Sequence, residues 1–143
     1  MGIMNDREIL AAIHSGEIFI SSLNPSNVRP ASIDLTLHHT LETMTLTHLD
    51  AADSSFQQIQ SSLSVHDITD LGYELQPGQF VTGYSAEELR IPSFMSGNIF
   101  NRNSLARCGL DASAAACIHP GFNGRMVIVI RNFAQYPIVL VRG

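Results

Sequence analysis

Apolar and polar positions along this chain form short runs, broken by proline, glycine and asparagine. The strongest strand signal is Arg125-Met126-Val127-Ile128-Val129-Ile130-Arg131, an apolar run between two arginines. Ile33-Asp34-Leu35-Thr36-Leu37 alternates apolar and polar side chains, so it predicts a half-buried strand with Asp34 facing outward. Threonine-rich Leu41 to Thr47 predicts another strand. Leu75-Gln76-Pro77-Gly78-Gln79 predicts a tight turn, and Phe80 to Tyr84 the strand that follows it. Ile18 to Ile20, Met95 to Phe100, Ala112 to Ile118 and Pro137 to Val141 are further strand candidates. Leu23 to Pro30 and the polar stretch Leu49 to Ser64 predict loops, and Ala86 to Pro92 a turn or helical piece.

Helical signals are few. Asn5 or Asp6 can cap a short helix that starts with acidic residues and stops at Gly16. Ser104 to Cys108 suits a single helical turn. Short strands separated by turn residues, with one N-terminal helix, predict an all-β barrel or sandwich formed by residues 1–143 as a single domain.

Composition narrows the functional classes. The 45% hydrophobic content is slightly high for a monomer of this size, so part of the apolar surface is expected to lie between subunits. The net charge of −5 argues against general nucleic-acid binding. All eight basic residues are arginines, and six lie in the second half: Arg90, Arg102, Arg107, Arg125, Arg131 and Arg142. Arginine suits bidentate phosphate contact, although codon bias gives the same usage. Cys108 and Cys117 have neither metal-ligand spacing nor a disulfide framework, which points to a reducing compartment. No secretory leader or membrane-length apolar run is visible, so a cytoplasmic protein with no membrane role is expected.

Candidate chemistry is sparse. Asp34 can hold a metal–triphosphate or a partner arginine, or simply face solvent. Arg102 and Arg107 flank Ser104, and a hydroxyl with turn amides beside guanidinium groups can cradle phosphate; a solvated surface turn has the same composition. His119, before Pro120-Gly121, can act as a base near neutrality or remain a solvated turn residue. His38-His39 has no third ligand at a metal-binding spacing, so no metal site is predicted.

Taken in order, four segments resemble the dCTP deaminase branch of the dUTPase superfamily. They are Arg29-Pro30-Ala31-Ser32-Ile33-Asp34-Leu35, Leu75-Gln76-Pro77-Gly78-Gln79-Phe80-Val81, Arg102-Asn103-Ser104-Leu105-Ala106-Arg107-Cys108-Gly109-Leu110 and Pro120-Gly121-Phe122-Asn123-Gly124. The resemblance implies a distorted β-barrel or jelly-roll, assembled as a homotrimer with sites between subunits. It also implies a pyrimidine deoxynucleoside triphosphate ligand accompanied by Mg2+, and either deamination of dCTP, hydrolysis of dUTP, or both, without zinc. Arg102, Ser104 and Arg107 match triphosphate-contacting and site-shaping positions, and Asp34 matches the acid of the first motif.

Three positions depart from that pattern. Asn103 replaces the usual serine, His119 replaces the aspartate before Pro-Gly, and Val129 stands where the deaminase glutamate is expected. Valine cannot move protons between water and a cytosine ring, and losing such a group costs on the order of 10² to 10⁴ in rate. The chain also stops at Gly143, where the family continues with a further segment. The expected function is therefore nucleotide binding at Arg102, Asn103, Ser104, Arg107 and Asp34, with weak or no standard catalysis. The alternatives are an active deaminase or pyrophosphatase that uses His119 as base, and a regulatory or structural subunit with an empty site.

Overall fold

The computed structural model describes residues 2–46, 56–113 and 117–143. Its first half holds helix α1 (Asp6–His14), strands β1 (Phe19–Ile20), β2 (Val28–Arg29), β3 (Ser32–Ile33) and β4 (Leu37–Met44), helix α2 (Phe56–Ser61), and strand β5 (Leu63–Asp67). The second half holds β6 (Tyr73–Leu75), β7 (Phe80–Arg90), β8 (Gly97–Asn98), helix α3 (Asn103–Arg107), β9 (Leu110–Asp111), β10 (Cys117–Ile118), β11 (Asn123–Asn132) and β12 (Ile138–Leu140). Strands dominate, as expected for an all-β fold of the dUTPase-like type.

The main sheet runs β5-β4-β7-β11-β9, and β1 pairs with the far end of β7. All of these pairings are antiparallel. Two-stranded ribbons β10-β8, β12-β6 and β2-β3 surround it, so the described strands form a distorted barrel rather than one closed ladder.

β7 and β11 are the spine. Alternate residues of β7, from Val81 to Leu89, point inward, as do Met126, Ile130 and Asn132 of β11. The inward apolar side chains divide into two clusters, one around Ile20, Leu89 and Met126 and the other around Leu41, Val81 and Ile130. Ile128 packs against both. Gly83 lets β4 approach β7: a Cβ there would stand 2.9 Å from Leu37 Cδ1 and 3.2 Å from Leu41 Cδ2. Asn132 is fully buried, yet its side chain donates to Leu75 O and Tyr136 O at 2.9 Å and accepts from Ala134 N at 2.8 Å. Those three bonds offset its desolvation and tie β6 and the segment after β11 to the spine.

Helix α1 follows its expected cap. Asn5 accepts from Arg7 N and Glu8 N, and the Glu8 carboxylate accepts from Asn5 N at 2.8 Å, completing a capping box. Ser104 to Cys108 is helical, as α3.

Other boundaries differ. Ala86 to Pro92 is not a turn: β7 continues to Arg90, because Leu89 and Arg90 are paired by β1 on one side and β11 on the other. The expected loop Leu49 to Ser64 contains α2 and the start of β5; its residues 49–55 lie outside the described residues. The strand expected at Ile33 to Leu37 is split. β3 ends at Ile33 and β4 starts at Leu37, because the residues between bond to Asn27 and Glu87 instead of to a ladder. Of Ala112 to Ile118, Cys117–Ile118 is a strand, and 114–116 lie outside the described residues.

Candidate functional site

The segment between β3 and β4 begins at Asp34, whose amide donates to Asn27 O at 2.9 Å. Its carboxylate Oδ2 accepts from Arg29 Nε at 2.8 Å and stands 3.8 Å from Arg102 Nη2. One carboxylate thus gathers two guanidinium groups from separate parts of the chain. The Asp34 side chain is 21% exposed, against 47% for Arg29 and 64% for Arg102. At that exposure the pairs contribute little stability, about 0–1 kcal/mol each. Their effect is orientation: they hold cationic groups at an accessible surface. Of the three possibilities for Asp34, pairing with arginine is the contact seen within the chain.

Arg102 is also the N-cap residue of α3, and its carbonyl accepts from Leu105 N and Ala106 N at 3.0 Å. Asn103, Ser104 and Arg107 follow on this five-residue helix, all exposed, with Arg107 in the last turn. Arg107 forms no ion pair with another described residue. Beside Arg102, Asn101 Oδ1 is buried without a hydrogen-bond partner.

The helix is anchored from behind. Gly109 ends it at φ +84°, and its carbonyl accepts from Phe133 N at 2.7 Å. Tyr136 donates its hydroxyl to Cys108 O at 3.0 Å. A Cβ at Gly109 would lie 2.9 Å from both the backbone N and Cβ of Ala134. Gly109→Ala is therefore expected to destabilise the protein by about 3 kcal/mol, combining left-handed backbone strain with overpacking. Urea denaturation checks this.

His119 follows β10 in an exposed turn. The turn is pinned to the end of β7, with Gly121 N donating to Pro92 O at 3.2 Å and Ile91 N to Phe122 O at 2.9 Å. The nearest recorded partner of its side chain is Cys117 Sγ, 4.0 Å from Nδ1. Within one chain His119 makes no hydrogen bond or ion pair with Asp34 or Arg102. The structure brings Asp34 and Arg102 together and leaves His119 on a separate turn.

Val129 lies on the outer face of β11, opposite Thr82. Thr82 is in turn opposite Glu42, and Glu42 opposite Val65, so one cross-strand row reads Val129–Thr82–Glu42–Val65. Along β11 the neighbours of Val129 are isoleucines, yet the row supplies a carboxylate two strands away. Burial, and then a hydrogen bond to Glu42, push the Tyr84 phenol above its ordinary range.

Sequence reasoning left two groups out of the site. Arg29 lies five residues before Asp34, and the β2–β3 hairpin pairs it with Ser32, which folds its side chain back toward the carboxylate. Glu42 becomes visible only once strand register is known. A separate open depression of about 260 Å³ is lined by Leu37, His38, His39, Ala86, Arg142 and Gly143, none of them predicted site residues. Burial lowers the His38 pKa, helped by His39 and Arg125 and opposed by Asp67. Among the described residues no cluster of three or more His, Cys, Asp or Glu side chains can hold a metal ion.

Residues 3–143 match the family model described as dCTP deaminase-like. The chain belongs to the dCTP deaminase-like family. Among its relatives is the dUMP-forming dCTP deaminase of Corynebacterium kroppenstedtii, 34% identical over 142 residues, covering 96% of this chain and 74% of that protein. The dUMP-forming dCTP deaminase of Rhodococcus opacus is 31% identical, covering 99% of this chain and 75% of that protein. The crystal structure of 2'-deoxycytidine 5'-triphosphate deaminase from Agrobacterium tumefaciens superposes with a TM-score of 0.77 at 23% identity. That match covers 99% of this chain and 45% of the Agrobacterium chain, and it shows the shared fold. Among the described residues of this dCTP deaminase-like chain, no helix is long and apolar enough to cross a membrane.

Proposed function

We propose that this chain binds a pyrimidine deoxynucleoside triphosphate of the dCTP class and has lost standard deamination. The observation that carries this reading is the accessible cluster of Arg29 and Arg102 on Asp34, combined with valine at position 129. The relatives' names supply the nucleotide class.

In this reading Arg102 and Arg107 pair with phosphate oxygens, and Asn103 and Ser104 donate from the first turn of α3. Guanidinium–phosphate bonds are charge-assisted and frequently bidentate, which suits a polyanion at an exposed surface. Asp34 keeps Arg102 aimed outward. Its Oδ2 is already engaged by two guanidinium groups, so Asp34 serves as an arginine partner rather than a cation ligand. Mg2+ arrives on the nucleotide, held by phosphate oxygens and water, as is usual for this ion.

Val129 and Thr82 present no proton-transferring group where the deaminase glutamate is expected. We further propose a homotrimeric, cytoplasmic protein. Support comes from the apolar side chains left outside the single chain, among them Phe80 (47% exposed), Val127 (43%) and Phe133 (58%), and from two free cysteines.

The second reading is an active enzyme with His119 as base. It is favoured by the exposure of His119 on a turn that is pinned in place. Thermal shift with a panel of Mg2+-deoxynucleotides tests the main reading. Stabilisation by dCTP or dUTP supports it; no shift with any triphosphate supports a structural subunit instead.

A further inference from the structure

Glu87 is a buried carboxylate with no place in the chemistry above. It is 6% exposed, in the middle of β7. A buried carboxylate is costly unless its oxygens are hydrogen-bonded, and an apolar side chain would fill the same space at less cost. The partners of Glu87 therefore indicate its role.

Among the described residues, its side-chain hydrogen bonds all go to one residue. Thr36 N donates to Oε2 at 3.0 Å and to Oε1 at 3.3 Å, and the Thr36 hydroxyl donates to Oε1 at 2.8 Å. The neighbouring amide completes the clamp: Ala86 N donates to Thr36 O at 2.8 Å. Both backbone polar groups of Thr36 and its hydroxyl are thus held by residues 86 and 87.

The clamp is itself braced. Opposite β11 the register passes from Arg125↔Glu88 to Val127↔Tyr84, so Ser85, Ala86 and Glu87 face Met126 in a bulge. Ser85 Oγ donates to Glu87 O at 2.7 Å and accepts from Met126 N at 2.8 Å. Arg125 donates to the carbonyls of Ser85 and Ala86, and its guanidinium is 3.5 Å from Glu88. Bulges commonly re-aim side chains, and this one is fastened on both sides.

Thr36 is two residues beyond Asp34. Between them, Leu35 packs against the Ile20–Leu89–Met126 cluster, and behind them the Asp34 amide is held by Asn27 O. Asp34 is therefore fixed by bonds on both sides of its own position. We infer that Glu87 is a positioning residue, which holds Asp34 through Thr36 and so sets the placement of Arg29 and Arg102. As far as it concerns ligand binding, this rests on the nucleotide reading of that cluster.

The test compares Glu87→Gln, Thr36→Val and Thr36→Ser with wild type. The Arg29 Nε–H resonance is followed in ligand-free 15N-labelled protein, and affinity for Mg2+-dCTP is measured by titration. In the first two variants the Arg29 signal is expected to move toward its position in Asp34→Asn. Thr36→Ser, which keeps the hydroxyl, should restore the wild-type signal. Affinity should weaken about tenfold in Glu87→Gln, the loss of one bond to a charged group, and adding Glu87→Gln to Asp34→Asn should cost nothing further. An unmoved Arg29 signal in a folded variant, or effects that add to those of Asp34→Asn, overturn the inference. If Glu87→Gln does not fold, Thr36→Val, which is near in shape to threonine, decides. If wild type binds no triphosphate, the nucleotide reading fails, while the Arg29 signal still decides whether Glu87 positions Asp34.

Discussion

Val129→Glu is expected to raise dCTP turnover by about 10²-fold over wild type, the lower end of what a general acid–base group contributes. Position 129 can accept the change. It is half-buried on the outer sheet face opposite Thr82, away from the inward side chains Met126 and Ile130. Glu42 lies in the same cross-strand row. His119→Ala should leave the wild-type rate unchanged, because the His119 turn is fixed to the end of β7 and its side chain bonds to neither Asp34 nor Arg102. Coupled detection of uracil nucleotide and pyrophosphate checks both variants. High wild-type turnover that disappears in His119→Ala would establish the second reading.

Arg102→Ala should weaken Mg2+-dCTP binding by about 10- to 100-fold, the value of one or two hydrogen bonds between charged groups. The loss should shrink with each phosphate removed from the ligand, being small for the nucleoside. Binding should also weaken with added salt, since Arg102 is largely exposed. Stability should change little, because the Arg102–Asp34 pair is a surface contact at 3.8 Å. Titration of wild type and variant with the nucleoside, its monophosphate and its triphosphate separates loss of phosphate contact from general damage.

Much of the fold was legible where side-chain pattern and pairing agree. The apolar run of β11 and the Asn5–Glu8 capping box are written in adjacent residues. The second half of β7 was not legible, because Ser85 and Glu87 occupy inward positions and break the apolar alternation. Their signal was phase. Val81, Gly83, Ser85, Glu87 and Leu89 keep a period of two, so a glutamate in step with buried residues marks an inward carboxylate.

At the candidate site, Asp34 and Arg102 were each identifiable, but their pairing depends on how β3 and α3 fold together. Arg29 stands in the first matching segment, but only the β2–β3 hairpin brings it back to Asp34. The valine at position 129, where the resemblance implies a glutamate, was visible directly. Glu42, in the row that crosses it, required the register of β4, β7 and β11.

The most direct test of retained binding without standard catalysis is one calorimetric titration of wild type with Mg2+-dCTP, followed by analysis of the recovered nucleotide. The account predicts saturable binding that weakens about 10- to 100-fold in Arg102→Ala, with dCTP recovered unconverted. Either the absence of binding or recovery of uracil nucleotide after many turnovers would contradict it.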